Sequence, residues 1–179
     1  MPNTQPDDLL AREITPEDAE AAAQLSEELG YPVSPAEMKQ RIEAVARLPD
    51  HAIYVACVAG TVFGWIDVGI CRHLQSEPRA EIGGLVVSSE VRGRGVGRHL
   101  ITCAESWARQ RGLRGMVVRA QIAREEAHNF YLREGYARTK ISAVFTKTLG
   151  RPSHPTIPAP MPVELLELIP QPGGDSDAR

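Results

Sequence analysis

The chain has 179 residues, 42% of them hydrophobic, and a formal net charge of −3. That length can bury one sizeable core, and basic residues scattered along a net-acidic chain give no field suited to general nucleic-acid binding. Cys57, Cys71 and Cys103 are odd in number and widely spaced, which argues against a disulfide framework or a zinc site. The N-terminus is acidic and polar, and no apolar run reaches roughly 18 residues, so neither a signal peptide nor a membrane span is expected. These features predict a cytoplasmic globular protein with no metal, no nucleic-acid partner and no membrane partner, and they leave a homodimer open.

In chain order, "LLAREIT" predicts a first strand. Thr15 and Pro16 then open a helix that Gly30 stops, with Ala22, Leu25 and Leu29 on one stripe. "SPAE" at 34–37 has the form of a capping box and starts a second helix, carrying Met38, Ile42 and Val45. "AIYVACV" and "TVFGWIDVGI" flank a tight turn, a hairpin over about 52–70. "CRHLQSEPR" reads as a polar connection, and "AEIGGLVV" as a fourth strand. A helix with Leu100, Ile101, Ala104, Trp107 and Ala108 on one face runs to Gly112. "LRGMVVRAQ" predicts a strand, "REEAHNFYLREG" a helix, and "YARTKISAVFTKTL" a final pair of strands. The alternation favours a mixed α/β sheet covered by about four helices over a sandwich or a bundle. Seven of the fourteen prolines fall in residues 150–179, so 1–149 is read as the domain and 150–179 as a proline-rich tail in which only "VELLELI" is apolar enough to dock.

The segment "EVRGRGVGRHL", 90–100, carries three glycines and three arginines at a strand-to-helix junction. Glycines there leave outward-facing backbone N–H groups, the helix N-terminus adds partial positive charge, and Arg92, Arg94 and Arg98 can add charge-assisted contacts to an anion. A P-loop is excluded because no lysine lies in the stretch, and a dinucleotide fingerprint fails because Arg98 stands where its third glycine belongs.

The form Arg-x-x-Gly-x-Gly over Arg92–Gly97, the preceding "AEIGGLVV" and the later "AHNFYLREGY" together resemble the GNAT superfamily of acyl-CoA-dependent N-acetyltransferases, over about residues 9–149. The overall look is similar to aminoglycoside 6′-N-acetyltransferases. The resemblance implies a mostly antiparallel mixed sheet whose fourth and fifth strands splay apart to admit acetyl-CoA. Its pyrophosphate would lie on Arg92, Gly93, Arg94, Gly95, Val96, Gly97 and Arg98, and its pantetheine arm along Leu85, Val86 and Val87, with the Val87 amide toward the thioester oxygen. Where many members carry asparagines before the last helix this chain has Gln121 and Arg124, so Arg124 or His128 would serve a CoA phosphate. Tyr131 matches the tyrosine that protonates the CoA sulfur, and Glu81 a glutamate that serves some members as base. Tyr31, Trp65 and Asp67 are candidates for the acceptor pocket, and its aromatic and acidic character suits a cationic amine. The implied activity is acetyl transfer to a primary amine of a small molecule or peptide by direct attack on the thioester. The alternative is a degenerate module that binds acyl-CoA without turnover.

Overall fold

A computed structural model describes residues 9–149. Leu10–Glu13 forms β1. Arg12 on this strand reaches forward to Asp18 with two hydrogen bonds of 2.7 Å. Asp18 also accepts from the Thr15 amide at 2.8 Å, so one carboxylate fixes the corner between strand and helix. The Arg12 guanidinium holds the Asp18 carboxyl below the usual carboxylate range. Thr15 opens a short 3-10 turn, Pro16–Asp18, which continues into α1, Ala19–Glu28. α2, Pro35–Val45, starts at the capping box that the sequence predicts: Ser34 Oγ accepts from the Glu37 amide at 3.2 Å.

β2, His51–Val58, and β3, Thr61–His73, meet at a two-residue turn in which Ala59 and Gly60 have φ of 48° and 83°. Both values lie in the left-handed region, whose backbone twist matches that of the flanking strands. β4, Ser76–Val87, begins earlier than the sequence suggests. Instead of a polar connection, "CRHLQSEPR" extends β3 and β4 to a tip at Leu74 and Gln75, with His73 opposite Ser76. An irregularity between Cys71 and His73 accommodates Pro78, which has no N–H to give a ladder. α3, Val96–Gln110, follows; β5 is only Met116–Val118, and α4 is Glu125–Arg133.

The sheet runs in the order β1-β2-β3-β4-β5, antiparallel except for the β4–β5 pair. Alternation sends Ile66 and Val68 to the face covered by α3, where they pack with Ala80, Ile82, Leu100, Ala104 and Trp107. Leu100 and Ile66 are fully buried; removing either side chain from water contributes about 1.5–3 kcal/mol. Trp65, Asp67 and Gly69 belong to the opposite face, where the Trp65 indole N–H donates to the Ala22 carbonyl of α1 at 3.3 Å.

The expected final strands are not formed. Residues 136–149 contain neither helix nor strand, and Ile141, Val144, Phe145 and Leu149 are exposed. Apolar alternation makes a strand only where a ladder takes up its N–H and C=O groups, and this stretch is on no ladder of the described sheet. The chain divides after Thr139 into two units, and residues 140–149 belong to the second. The expected tail, 150–179, lies outside the described residues.

Candidate active site

β4 and β5 pair only at Ala80–Ile82 with Met116–Val118. β5 ends opposite Ile82, and Gly84–Val87 keeps β3 on one side with no β5 partner on the other. This exposed edge leads to the glycine-rich loop. Gly93 and Gly95 have φ of 79° and 86°, and a Cβ on either would point into open space. Gly95 caps α3, whose first N–H groups have no carbonyl within the helix to bind. Gly97 serves packing instead, since its Cβ would lie 3.1 Å from the Phe130 ring of α4 and 3.7 Å from Val87.

The three loop arginines differ in their surroundings. Arg92 donates to the Val87 carbonyl at 3.4 Å and lies 4.0 Å from Glu28, which accepts from the Ser89 amide at 2.9 Å. Arg98 pairs with Glu134 at 3.1 Å. Arg94 is exposed.

Where β4 leaves β5, a cavity of about 240 Å³ opens, lined by His51, Asp67, Gly69, Ile70, Cys71, Glu81 and Gly83. Cross-strand register assembles it, with His51 opposite Gly69 and Gly69 opposite Glu81 in one row. Gly69 lies in the middle of that row and has no side chain to fill the space. An irregularity after Asp67 places Gly83 beside it, where a Cβ would come 2.8 Å from Asp67 Oδ2. Asp67 Oδ1 is buried without a hydrogen-bond partner. Burial pushes the Asp67 carboxyl up, and charge on His51 pulls it partly back. Glu81 forms an ion pair with Arg119, just past β5.

At the other end of the open edge, Tyr131 meets Phe130 and Tyr136 edge to face, at ring separations of 5.2 and 5.6 Å. Burial pushes its phenol up to about 12. Tyr136 donates to Met116 Sδ at 3.7 Å, which makes it a packing residue. Phe130, Gly97 and Val87 are neighbours, so Tyr131 stands beside the junction of β4 and α3.

The structure thus brings Asp67 and Glu81 into one cavity; Val87 neighbours Gly97, which packs on Phe130, and Tyr131 meets Phe130 edge to face. Other candidates are engaged elsewhere. Arg124 donates to the Leu29 carbonyl at 2.5 Å, joining the start of α4 to the end of α1, and His128 lies 3.1 Å from the Gln121 carbonyl. Trp65 stacks on Gly84 beneath α1, and Tyr31 is half exposed on the α1–α2 connection; neither lines the cavity. His51, Gly69 and Arg119 escaped the sequence reading. Counting outward from the Ala59–Gly60 turn pairs His51 with Val68; the irregularity between Ala56 and Cys57 shifts the register by one and puts Gly69 opposite it, which no local signal shows.

Against known proteins, the model of the acetyltransferase (GNAT) family matches residues 18–136. An aminoalkylphosphonate N-acetyltransferase of Salmonella typhimurium is 40% identical over 91 residues, which are 50% of this chain and 58% of that protein. An aminoglycoside N(6′)-acetyltransferase of Stenotrophomonas maltophilia is 28% identical over 144 residues, covering 77% of this chain and 92% of the relative. An aminoglycoside N-acetyltransferase solved in complex with CoA superposes with a TM-score of 0.72 at 19% identity, over 83% of this chain and 99% of its own. With the short β4–β5 pairing and the glycine-rich loop at the head of α3, the match over residues 18–136 shows that this chain belongs to the acetyltransferase (GNAT) family.

Proposed function

We propose that the chain transfers an acetyl group from acetyl-CoA to the amine of a small cationic molecule. One observation carries this reading: the unpaired edge Gly83–Val87 joins an anion-cradling loop at one end to an acidic cavity at the other. The residues present fit the co-substrate. Open space over Gly93 and Gly95 admits a pyrophosphate to the backbone amides from Arg92 to Arg98, and exposed Arg94 adds a charge-assisted contact. Along Leu85, Val86 and Val87, alternation turns the N–H and C=O of Leu85 and Val87 to the open edge, where they can meet the amides of the pantetheine arm, while Val86 pairs with Trp65 on β3. Arg124 and His128 are held to the Leu29 and Gln121 carbonyls, so they shape this wall more than they supply charge to it.

The acceptor arrives as an ammonium ion near neutral pH. Asp67 and Glu81 draw it into the cavity, and Glu81 takes a proton to leave a nucleophilic amine. Attack on the thioester puts negative charge first on oxygen and then on sulfur. Tyr131 is buried and its raised value keeps the hydroxyl protonated at neutral pH. It is a weak acid for the same reason, so it acts first by donating a hydrogen bond to the developing thiolate. The names of the relatives support amines of two kinds, aminoglycosides and aminoalkylphosphonates. Both carry the primary ammonium group that this cavity suits.

The test is CoA release across a panel of polyamines, aminoglycosides, aminoalkylphosphonates and neutral amines, each against a blank holding acetyl-CoA alone. Amine-dependent release is expected, with cationic acceptors ahead of neutral ones. CoA binding with no amine-dependent release would overturn the reading in favour of a binding module.

A further inference from the structure

His51 opens β2 at the cavity, and nothing in the acetyl-transfer reading uses it. Its ring is held from two sides. Nδ1 lies 3.3 Å from Asp50 Oδ1, and the other Asp50 oxygen accepts from Arg72 at 2.9 Å, so a cation anchors the carboxylate that faces the ring. The opposite edge of the ring lies over Gly69. A Cβ there would fall 2.7 Å from Cδ2, 2.8 Å from Cε1 and closer still to Nε2. Only a residue without a side chain lets the imidazole lie here.

Orientation follows from the partners. A neutral imidazole has one N–H, and which nitrogen carries it is set by the hydrogen bond that the ring makes. With Asp50 as acceptor the proton belongs on Nδ1, and Nε2 leads toward Gly69 with a free lone pair. The groups facing the ring are Asp50 before β2, Asp67 and Cys71 on β3, and Glu81 on β4; Arg72 and Arg119 act through Asp50 and Glu81. The side chain is 34% exposed, which gives a proton held there a way out to solvent.

We infer that His51 is the proton exit of the acceptor cavity, taking the proton first lost by the acceptor ammonium and releasing it to water. The inference rests on the transferase reading. The ammonium N–H breaks to Glu81, the proton passes to Nε2, and the imidazolium returns it to bulk. The second amine proton, lost after attack, leaves on the CoA thiol. Each turnover therefore converts an ammonium ion and a thioester into an amide, a thiol and one free proton.

Two measurements test this. In the parental chain, nitrogen-15 NMR of His51 is expected to show the neutral ring protonated on Nδ1, a preference that Asp50→Asn abolishes; an Nε2–H tautomer would overturn the proposal without reference to activity. Kinetically, His51→Gln is expected to lose at least about tenfold in kcat/KM at pH 7, in the direction of lost acid–base catalysis, and to recover as rising pH supplies free amine. Calorimetric CoA affinity is expected to stay unchanged. His51→Gly should be restored by added imidazole, and Gly69→Ala, which displaces the ring and keeps it, should reproduce the pH profile of His51→Gln. If His51→Gln keeps the parental profile while the parental chain turns over amines, the proton exit lies elsewhere. If the parental chain shows no amine-dependent thiol release at all, the transferase reading fails and this role with it.

Discussion

At the scale of single residues, two side chains owe their chemistry to burial. Tyr131→Phe keeps the ring that packs on Phe130 and Tyr136 and removes only the hydroxyl. It is expected to lower kcat by about tenfold to a thousandfold, with CoA affinity nearly intact by calorimetry; full kcat in the variant would show that the thiolate leaves without it. Asp67 is placed in the cavity with one oxygen unpartnered, and burial raises its carboxyl above the ordinary value. The folded chain therefore binds that proton more tightly than the unfolded chain, so stability falls as pH rises from the unfolded value through the raised folded one. Asp67→Asn is expected to raise Tm at pH 7, with the gain vanishing as pH drops below that window, and to raise KM more than it lowers kcat because it removes ground-state attraction for a cation. Thermal melts across pH and steady-state kinetics check both halves. Asp67 was legible only through the family resemblance, which points to the hairpin strand; Trp65, two residues earlier on the same face, does not line the cavity. Arg124 was misleading because its partner, Leu29, is 95 residues away and only the tertiary fold brings them together.

At the scale of elements, the junction of β4, the loop and α3 carries the cofactor reading. Gly95 has a φ of 86°, in a region where a side chain is strained, and its missing Cβ faces open space. Gly95→Glu adds bulk and negative charge at the point where a pyrophosphate is expected. Abolished CoA binding is the predicted result, and Arg94→Ala is expected to weaken binding moderately and in a salt-dependent way. Titration calorimetry decides, and a folded Gly95→Glu variant with parental affinity would remove the phosphate from this loop. The helices were legible because caps and stripes are local signals: Thr15, Ser34 with Glu37, and the Leu100–Trp107 face all stand where spacing puts them. Strand ends were less so. β3 and β4 run on through a polar, proline-containing segment because an exposed hairpin needs only each other's ladder, and the last predicted strands fail because alternation says nothing about whether a partner exists.

At the scale of the whole molecule, the fold positions two chemically different ends of one strand. Glu81 and Gly83 belong to the acidic cavity, while Val87 neighbours Gly97, and the four residue steps from Gly83 to Val87 span roughly 13 Å of strand. Every element that builds this arrangement lies between Leu10 and Arg133. The family match ends at residue 136 and the first compact unit at Thr139. The 30 residues from 150 on carry seven prolines, a composition poor in the apolar runs that bury a core. Truncation after Gly150 is predicted to leave a folded chain that binds CoA with parental affinity and releases thiol with the same acceptors. Thermal melts, calorimetry and light scattering on the shortened chain test this together. A loss of more than roughly 10 °C in Tm, corresponding to more than about 3 kcal/mol for a domain of this size, or a change in oligomeric mass, would show that "VELLELI" docks on the domain or on a neighbouring copy. A loss of CoA affinity at unchanged Tm would instead assign the segment a part in the site itself.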